Sequence, residues 1–252
     1  MPGENIIQCQ QVIPDDLTFE YQGEALDLNL AGGEVISIIG PQHSGKSHWL
    51  KTICGLQQQL SGSITIHGID TLHLSAEDWA MTRMKVAYLH ADTALMSAAN
   101  GLDNVLAPAL YHQLDKTLKN ETLTEKALKL LEEIDPELNL EDLPAYISKQ
   151  QRFKIAVARA LLLDPDALVM DKPFTHFDYE SKRQFKKFLS NQVNNGLSLL
   201  LVSDDIQYVL NNSNRIIFVD RENLYYFESK QAILNCDIAI VNDYLRLQEI
   251  TG

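Results

Sequence analysis

Apolar residues in the first 90 positions fall into short runs separated by turn formers: IIQCQQV, LTFEY, ALDLNL after Gly23, and SGSITIHG between glycines. Runs of this kind predict strands, and hence a β-rich N-terminal part. VISIIG at 35–40 is a continuous branched run, as a strand buried on both faces requires, and it feeds GPQHSGKSHWLKTICGL, which reads as a loop and then a helix. From about 92 to 148 the branched runs thin out, and ETLTEKALKLLEEI places Leu123, Ala127, Leu130 and Ile134 on one helical face. After it, QQRFKIAVARALLLDPDALVMD predicts a helix, a turn and a buried strand, and LSLLLVSDD and RIIFVD continue the αβ alternation. The expected fold is α/β, with a mostly parallel core sheet, an N-terminal antiparallel β part and a helical subdomain. One domain is expected over 1–252, with the α/β core at approximately 1–91 and 149–252 and the helical subdomain at 92–148. No internal repeat, low-complexity tract or long linker interrupts it.

Composition narrows the class. A chain of 252 residues, 45% hydrophobic, can bury a large core, and no apolar run approaches the roughly 18 residues of a membrane span. Cys9, Cys54 and Cys236 lack metal-ligand spacing and are expected as buried free thiols. MPGENIIQCQQ has no basic, apolar leader pattern, so a cytoplasmic location is expected. A net charge of -13 disfavours nucleic acid or an anionic lipid surface as the main partner. A membrane link would have to come through a partner protein.

One motif carries chemistry. Gly40-Pro41-Gln42-His43-Ser44-Gly45-Lys46-Ser47 fits G-x-x-x-x-G-K-[ST] between a buried strand and a helix. In such a loop, glycines let backbone N–H groups converge on phosphate oxygens, the helix N-terminus adds its dipole, and the lysine supplies a point charge. These eight residues and His48 are the candidate nucleotide-binding residues, with Ser47 a candidate magnesium ligand. A Gly-rich turn that merely opens a helix is the plain alternative, and the strand and helix around the motif argue against it. His43 stands where many such loops carry a third glycine, so its side chain must point outward or crowd the loop.

With the strand aspartate Asp171 far downstream and a helical insert between, the chain resembles the ATPase subunits of ABC transporters nearly end to end. The likeness includes Tyr21 ahead of the loop, SGSITIHG after it, ISKQQ at 147–151, ARALLLDPDALVMD, and the THFD turn ending at Asp178. The resemblance implies ATP and Mg2+ as cofactors and two subunits, alike or different, sandwiching the nucleotide beneath integral-membrane partners. It also implies that Tyr21 stacks on adenine and that Asp171 and Ser47 hold magnesium. Ser148, with Gln150 beside it, would be the signature serine that meets the partner's γ-phosphate, and Asp178 would link the two sites.

Departures from the family pattern concern catalysis. Where the usual signature resembles LSGGQ, ISKQQ puts Lys149 and Gln150 in place of both glycines. Lys172 follows Asp171 where an acid would orient the attacking water, Ala91 stands at the usual glutamine, and Asp204 at the usual switch histidine. Losing a positioned general base typically costs about 10² to 10⁴ in rate. The chain is therefore expected to hold ATP with weak or absent hydrolysis. The alternative is an active transporter ATPase that positions water with unusual residues.

Other features read plainly. Trp49 and Trp79 are expected as packing residues, His112 and His176 as non-ligands, and DPELNLEDLP as a solvated surface. AANGLDNVLAPAL is expected to shape a groove for a membrane partner's helix, with Leu102 and Leu106 in it. That stretch and DKPF resemble importers or lipid-trafficking ATPases of bacterial envelopes.

Overall fold

β3 (Val35–Ile39), β7 (Ala167–Asp171) and β8 (Ser198–Val202), the runs most continuously apolar in sequence, are buried at every position. The computed structural model, which describes residues 4–15, 23–112, 120–220 and 223–251, places them inside a sheet of order β10-β9-β3-β8-β7-β6. Its other strands are β6 (Val86–His90), β9 (Arg215–Val219) and β10 (Leu224–Phe227). All neighbours run parallel except β9 and β10.

Alternation along these strands feeds two cores, because successive side chains leave opposite faces. Leu168, Met170, Leu199 and Leu201 join a cluster with α3 (Gly101–Tyr111), α4 (Asn120–Ile134), α5 (Lys149–Leu161) and α6 (Tyr179–Asn194). Val169, Leu200, Val202, Ile36 and Ile38 face the other way, onto α1 (Lys46–Ile53). Beneath α1 lies an antiparallel sheet of order β2-β1-β4-β5, made of β1 (Asn5–Pro14), β2 (Leu26–Ala31), β4 (Gln59–Ile66) and β5 (Ile69–Asp70). Trp49 fills the space between the sheets and is fully buried, so its loss to alanine would cost about 3–5 kcal/mol. Trp79, on α2 (Ala76–Lys85), leans on the same cluster with the Arg83 guanidinium 5.0 Å from its ring. Cys9 and Cys54 are buried free thiols, and burial pushes Cys54 up to about 12, whereas Cys236, expected buried as well, is only partly so.

A third cluster, not marked by any sequence motif, packs α7 (Ile206–Asn212), α8 (Lys230–Leu234) and α9 (Ala239–Thr251) against Ile39 and Phe218.

One of the following sequence expectations needs correction, and two gain detail. On α4 Leu123, Ala127, Leu131 and Ile134 are buried, and Leu130, partly buried, packs against the same cluster, so Leu131 widens the apolar face beyond the expected stripe. The acidic stretch is not wholly solvated, since Asp135 holds the buried Lys154 at 2.7 Å. Leu102 and Leu106 are partly buried against the helical core, and exposed apolar groups nearby are Met96, Leu110 and Tyr111.

Candidate functional site

The loop after β3 is shaped by backbone requirements. Gly40 has φ +143, and a Cβ there would lie 2.1 Å from the Val219 carbonyl oxygen, so only glycine fits. Gly45, at φ +88, turns the chain into α1. His43 also adopts positive φ, at +62, and its side chain is exposed, so it points outward and does not crowd the loop. Ser44 and Lys46 are buried. The Lys46 ammonium donates to the Gly40 carbonyl at 2.7 Å, to Ser44 Oγ at 3.2 Å, and to the Pro41 carbonyl. Burial pushes Lys46 down to about 8; the charge of Asp204 works against that shift, Lys172 adds to it, and Asp171 opposes it. His48 Nδ1 lies 3.3 Å from Gln57 Oε1.

β8 lies between β3 and β7, so the residues that follow the three strands emerge together at their carboxyl ends, the edge where open α/β sheets bind ligands. The loops are tied to each other: Ser203 N–H donates to the Ile38 carbonyl at 3.3 Å and Lys172 N–H to the Val202 carbonyl at 2.9 Å. Lys172 has φ +52, a conformation uncommon for a side-chain-bearing residue. Thr175 Oγ1 fixes its carbonyl at 2.9 Å. The Lys172 ammonium lies 3.1 Å from Asp204 Oδ2, so two of the sequence's catalytic departures form one ion pair. Lys172 also lines a cavity of about 510 Å³ with Gln42 through His48.

Other candidates lie around this edge. Ala91 follows β6, and its neighbour His90 accepts the Asp92 N–H on Nδ1 at 3.0 Å while Nε2 faces Asp171 Oδ2 at 3.8 Å. The Arg159 guanidinium donates to the Ala94 carbonyl at 2.8 Å and steadies that loop from α5. Ser148 caps α5, accepting the Gln151 N–H at 3.1 Å, while Gln151 Oε1 accepts the Ser148 N–H at 2.9 Å. The cap uses the Ser148 oxygen only as an acceptor, which leaves its O–H as a donor. Lys149 and Gln150 begin the helix as side-chain-bearing residues. Asp178 caps α6 through the Ser181 N–H at 2.9 Å, a bond that holds its carboxyl below the usual range. The turn before it is anchored by Phe177, stacked on Phe185 at 4.9 Å. Tyr21 lies outside the described residues.

Comparison with known proteins decides the family. The ABC transporter family profile matches residues 24–175. The chain belongs to the ABC transporter family. The cassette is 30% identical over 204 residues to the glutamate/aspartate import ATP-binding protein GltL of Escherichia coli K12, which spans 81% of this chain and 83% of GltL. It is 27% identical over 201 residues to the sulfate/thiosulfate import ATP-binding protein CysA of the same organism, covering 79% of this chain and 53% of CysA. Among solved structures, the dimeric ATP-binding cassette MJ0796 bound to ADP and Pi superposes with a TM-score of 0.78 at 24% identity, over 88% of this chain and 98% of that one. The cbiO1 protein of Clostridium perfringens reaches 0.77 at 16% identity, over 98% and 99%. These likenesses show the α/β cassette fold, and the chain is an ABC transporter ATP-binding subunit.

The site residues suit a magnesium nucleotide. Asp171 is buried, and its Oδ1 has no hydrogen-bond partner among the described residues, the state of an oxygen left for a hydrated cation. The sequence shows His90 only as the neighbour of Ala91, a candidate for the glutamine's place; its approach to Asp171 follows from the pairing of β6 with β7. Two residues escaped sequence reading. Asn104, fully buried, staples the preceding loop by accepting the Met96 N–H at 2.8 Å and donating to the Ala99 carbonyl at 2.9 Å. Tyr244 of α9 packs in one cluster with Ile39, the residue before Gly40, which sets the last helix against the start of the loop. Among the described residues, no helix is long and apolar enough to cross a membrane.

Proposed function

We propose that this cassette binds Mg-ATP on Gly40–His48, hydrolyses it weakly or not at all, and couples nucleotide binding to transport from the cytoplasmic face of membrane-spanning partners. The observation that carries the reading is the Lys172–Asp204 ion pair, 3.1 Å long, at the positions where the family places a water-orienting acid and a switch histidine. Lys172 is a donor with no acceptor and cannot take the attacking water's proton. Magnesium, held by Ser47 and Asp171, would supply charge neutralisation to the phosphates. Lys46 would leave the Gly40 and Pro41 carbonyls for phosphate oxygens, and Tyr21 would stack on adenine. A second cassette, identical or related, would present Ser148 and Gln150 to the γ-phosphate and exchange contacts through Asp178. Lys149 and Gln150 would keep its backbone farther away than glycines do. The import role of GltL and CysA favours import for this chain; envelope lipid trafficking is the other candidate.

Radiolabelled ATP incubated with purified protein and its co-purified membrane partners tests this. Unhydrolysed nucleotide is expected to stay bound to the parent and to be lost in Lys46→Ala. Rapid phosphate release by the parent would sink the reading. It would favour an active ATPase in which His90, facing Asp171, takes the place of the missing glutamine. For docking, Met96 ahead of α3 and Leu110 and Tyr111 at its end offer exposed apolar groups. Met96→Glu with Leu110→Glu is expected to release the folded protein from membranes with ATP binding intact; persistent association would rule this surface out.

A further inference from the structure

We propose that Lys172 and Asp204 form a terminal-phosphate reader that makes the site prefer a nucleoside triphosphate to a diphosphate, the Lys172 ammonium leaving Asp204 for the γ-phosphate. This rests on the reading of Gly40–His48 as a nucleotide site.

Lys172 stands on a partition. It lines the phosphate-loop cavity of about 510 Å³ and also a second cavity of about 690 Å³, which Asp204 lines and the phosphate loop does not. Its ammonium sits on the Asp204 side, 3.1 Å from Oδ2. The lysine stem has four flexible carbons, while its backbone is pinned by the bonds to Val202 and Thr175. The head can therefore change sides without moving the loop.

The energetics favour an exchange. The two side chains are 36% and 47% exposed, and pairs this open contribute about 0–1 kcal/mol, too little for a stability device. A terminal phosphate offers more charge than one carboxylate and strong acceptor geometry. A diphosphate would engage the loop N–H groups and Lys46 and leave Lys172 with Asp204. The two changes also answer each other. Lys172 alone would place an unpaired ammonium near Lys46, and Asp204 alone would repel phosphate; together they present a cation parked until a third phosphate arrives.

The test is a double-mutant cycle on nucleotide preference. Calorimetry would give affinities for Mg-ADP and for the magnesium complex of the β,γ-imido analogue of ATP, using the full chain as parent, Lys172→Asn, Asp204→Asn and the double variant. Asparagine is chosen because it tolerates positive φ, and Lys172→Gly runs beside it in case the first folds poorly. The parent is expected to prefer the triphosphate, and Lys172→Asn to reduce that preference about tenfold, the loss of one charge-assisted hydrogen bond. Asp204→Asn is expected to raise the preference by freeing the ammonium, and to have no such effect once Lys172 is gone. An unchanged preference in both Lys172 variants overturns the proposal. So does an Asp204→Asn effect of equal size with and without Lys172, which would mark two independent charges. If the parent binds neither nucleotide, or Lys46→Ala binds both undiminished, the nucleotide-site reading itself falls, and the proposal with it.

Discussion

The candidate phosphate loop and the candidate catalytic edge lie side by side at the carboxyl ends of β3, β8 and β7, yet they are built differently. The loop carries each residue that the phosphate-loop pattern specifies. Its shape is enforced by backbone: Gly40 against the Val219 carbonyl, Gly45 turning into α1, and Lys46 buried on loop carbonyls. The edge keeps Asp171 in the strand but carries Lys172, Asp204 and Ala91 just past strand ends, where neither core packs on them. A site made from backbone cannot be altered without disturbing the fold. A site made from side chains at strand tips can reverse its charges while every strand stays in place.

Hydrolysis gives the largest expected effect. If the edge is deficient, turnover by the parent lies about 10² to 10⁴ below that of a site with a positioned base. Lys172→Glu alone restores only part of it, because Ala91 and Asp204 still leave the water and γ-phosphate poorly oriented. Lys172→Glu with Ala91→Gln and Asp204→His is expected to restore far more than the single change. Phosphate release, with any native partner present, measures all three. Full rescue by the single change would refute the cooperative account.

Stability sharpens the comparison from the other side. Gly40→Ala is expected to destabilise the protein by about 1–3 kcal/mol, since it adds strain at φ +143 and a Cβ against Val219. Lys172→Asn, at the edge, should change stability by no more than about 0.5 kcal/mol. Urea unfolding of both variants checks this. Comparable losses would show that the edge is as constrained as the loop.

The smallest effect concerns Asp205, the neighbour of Asp204. Burial pushes its carboxyl up, but the Lys186 ammonium at 2.7 Å and the Tyr208 N–H at 2.9 Å outweigh that and hold it below 3.8, its ordinary value. A carboxyl with depressed folded pKa contributes stability above the unfolded value and loses it as pH falls through the folded one. Asp205→Asn should therefore cost about 1 kcal/mol near neutrality. The gap between variant and parent should close below pH 3.8. A pH-independent gap would show that Asp205 acts through shape alone.

Much of this protein was legible in its residues because the signals are local. Continuous apolar runs such as VISIIG and ALVMD require burial on both faces wherever they go, and the spacing of Gly40, Gly45 and Lys46 defines a phosphate loop before any neighbour is known. The addition of Leu131 to the α4 stripe shows the limit of periodicity, because the partner surface, not the repeat, decides how wide the inward face is. Only the tertiary structure could join Lys172 to Asp204, which belong to different strand ends and meet because β7 and β8 pair in parallel register. The same holds for His90 beside Asp171 across the β6–β7 pair and for Tyr244 of the last helix packed in one cluster with Ile39. Sequence records which charges are present at the edge; strand order decides which of them meet, and so whether two departures from a family pattern are separate losses or one pair.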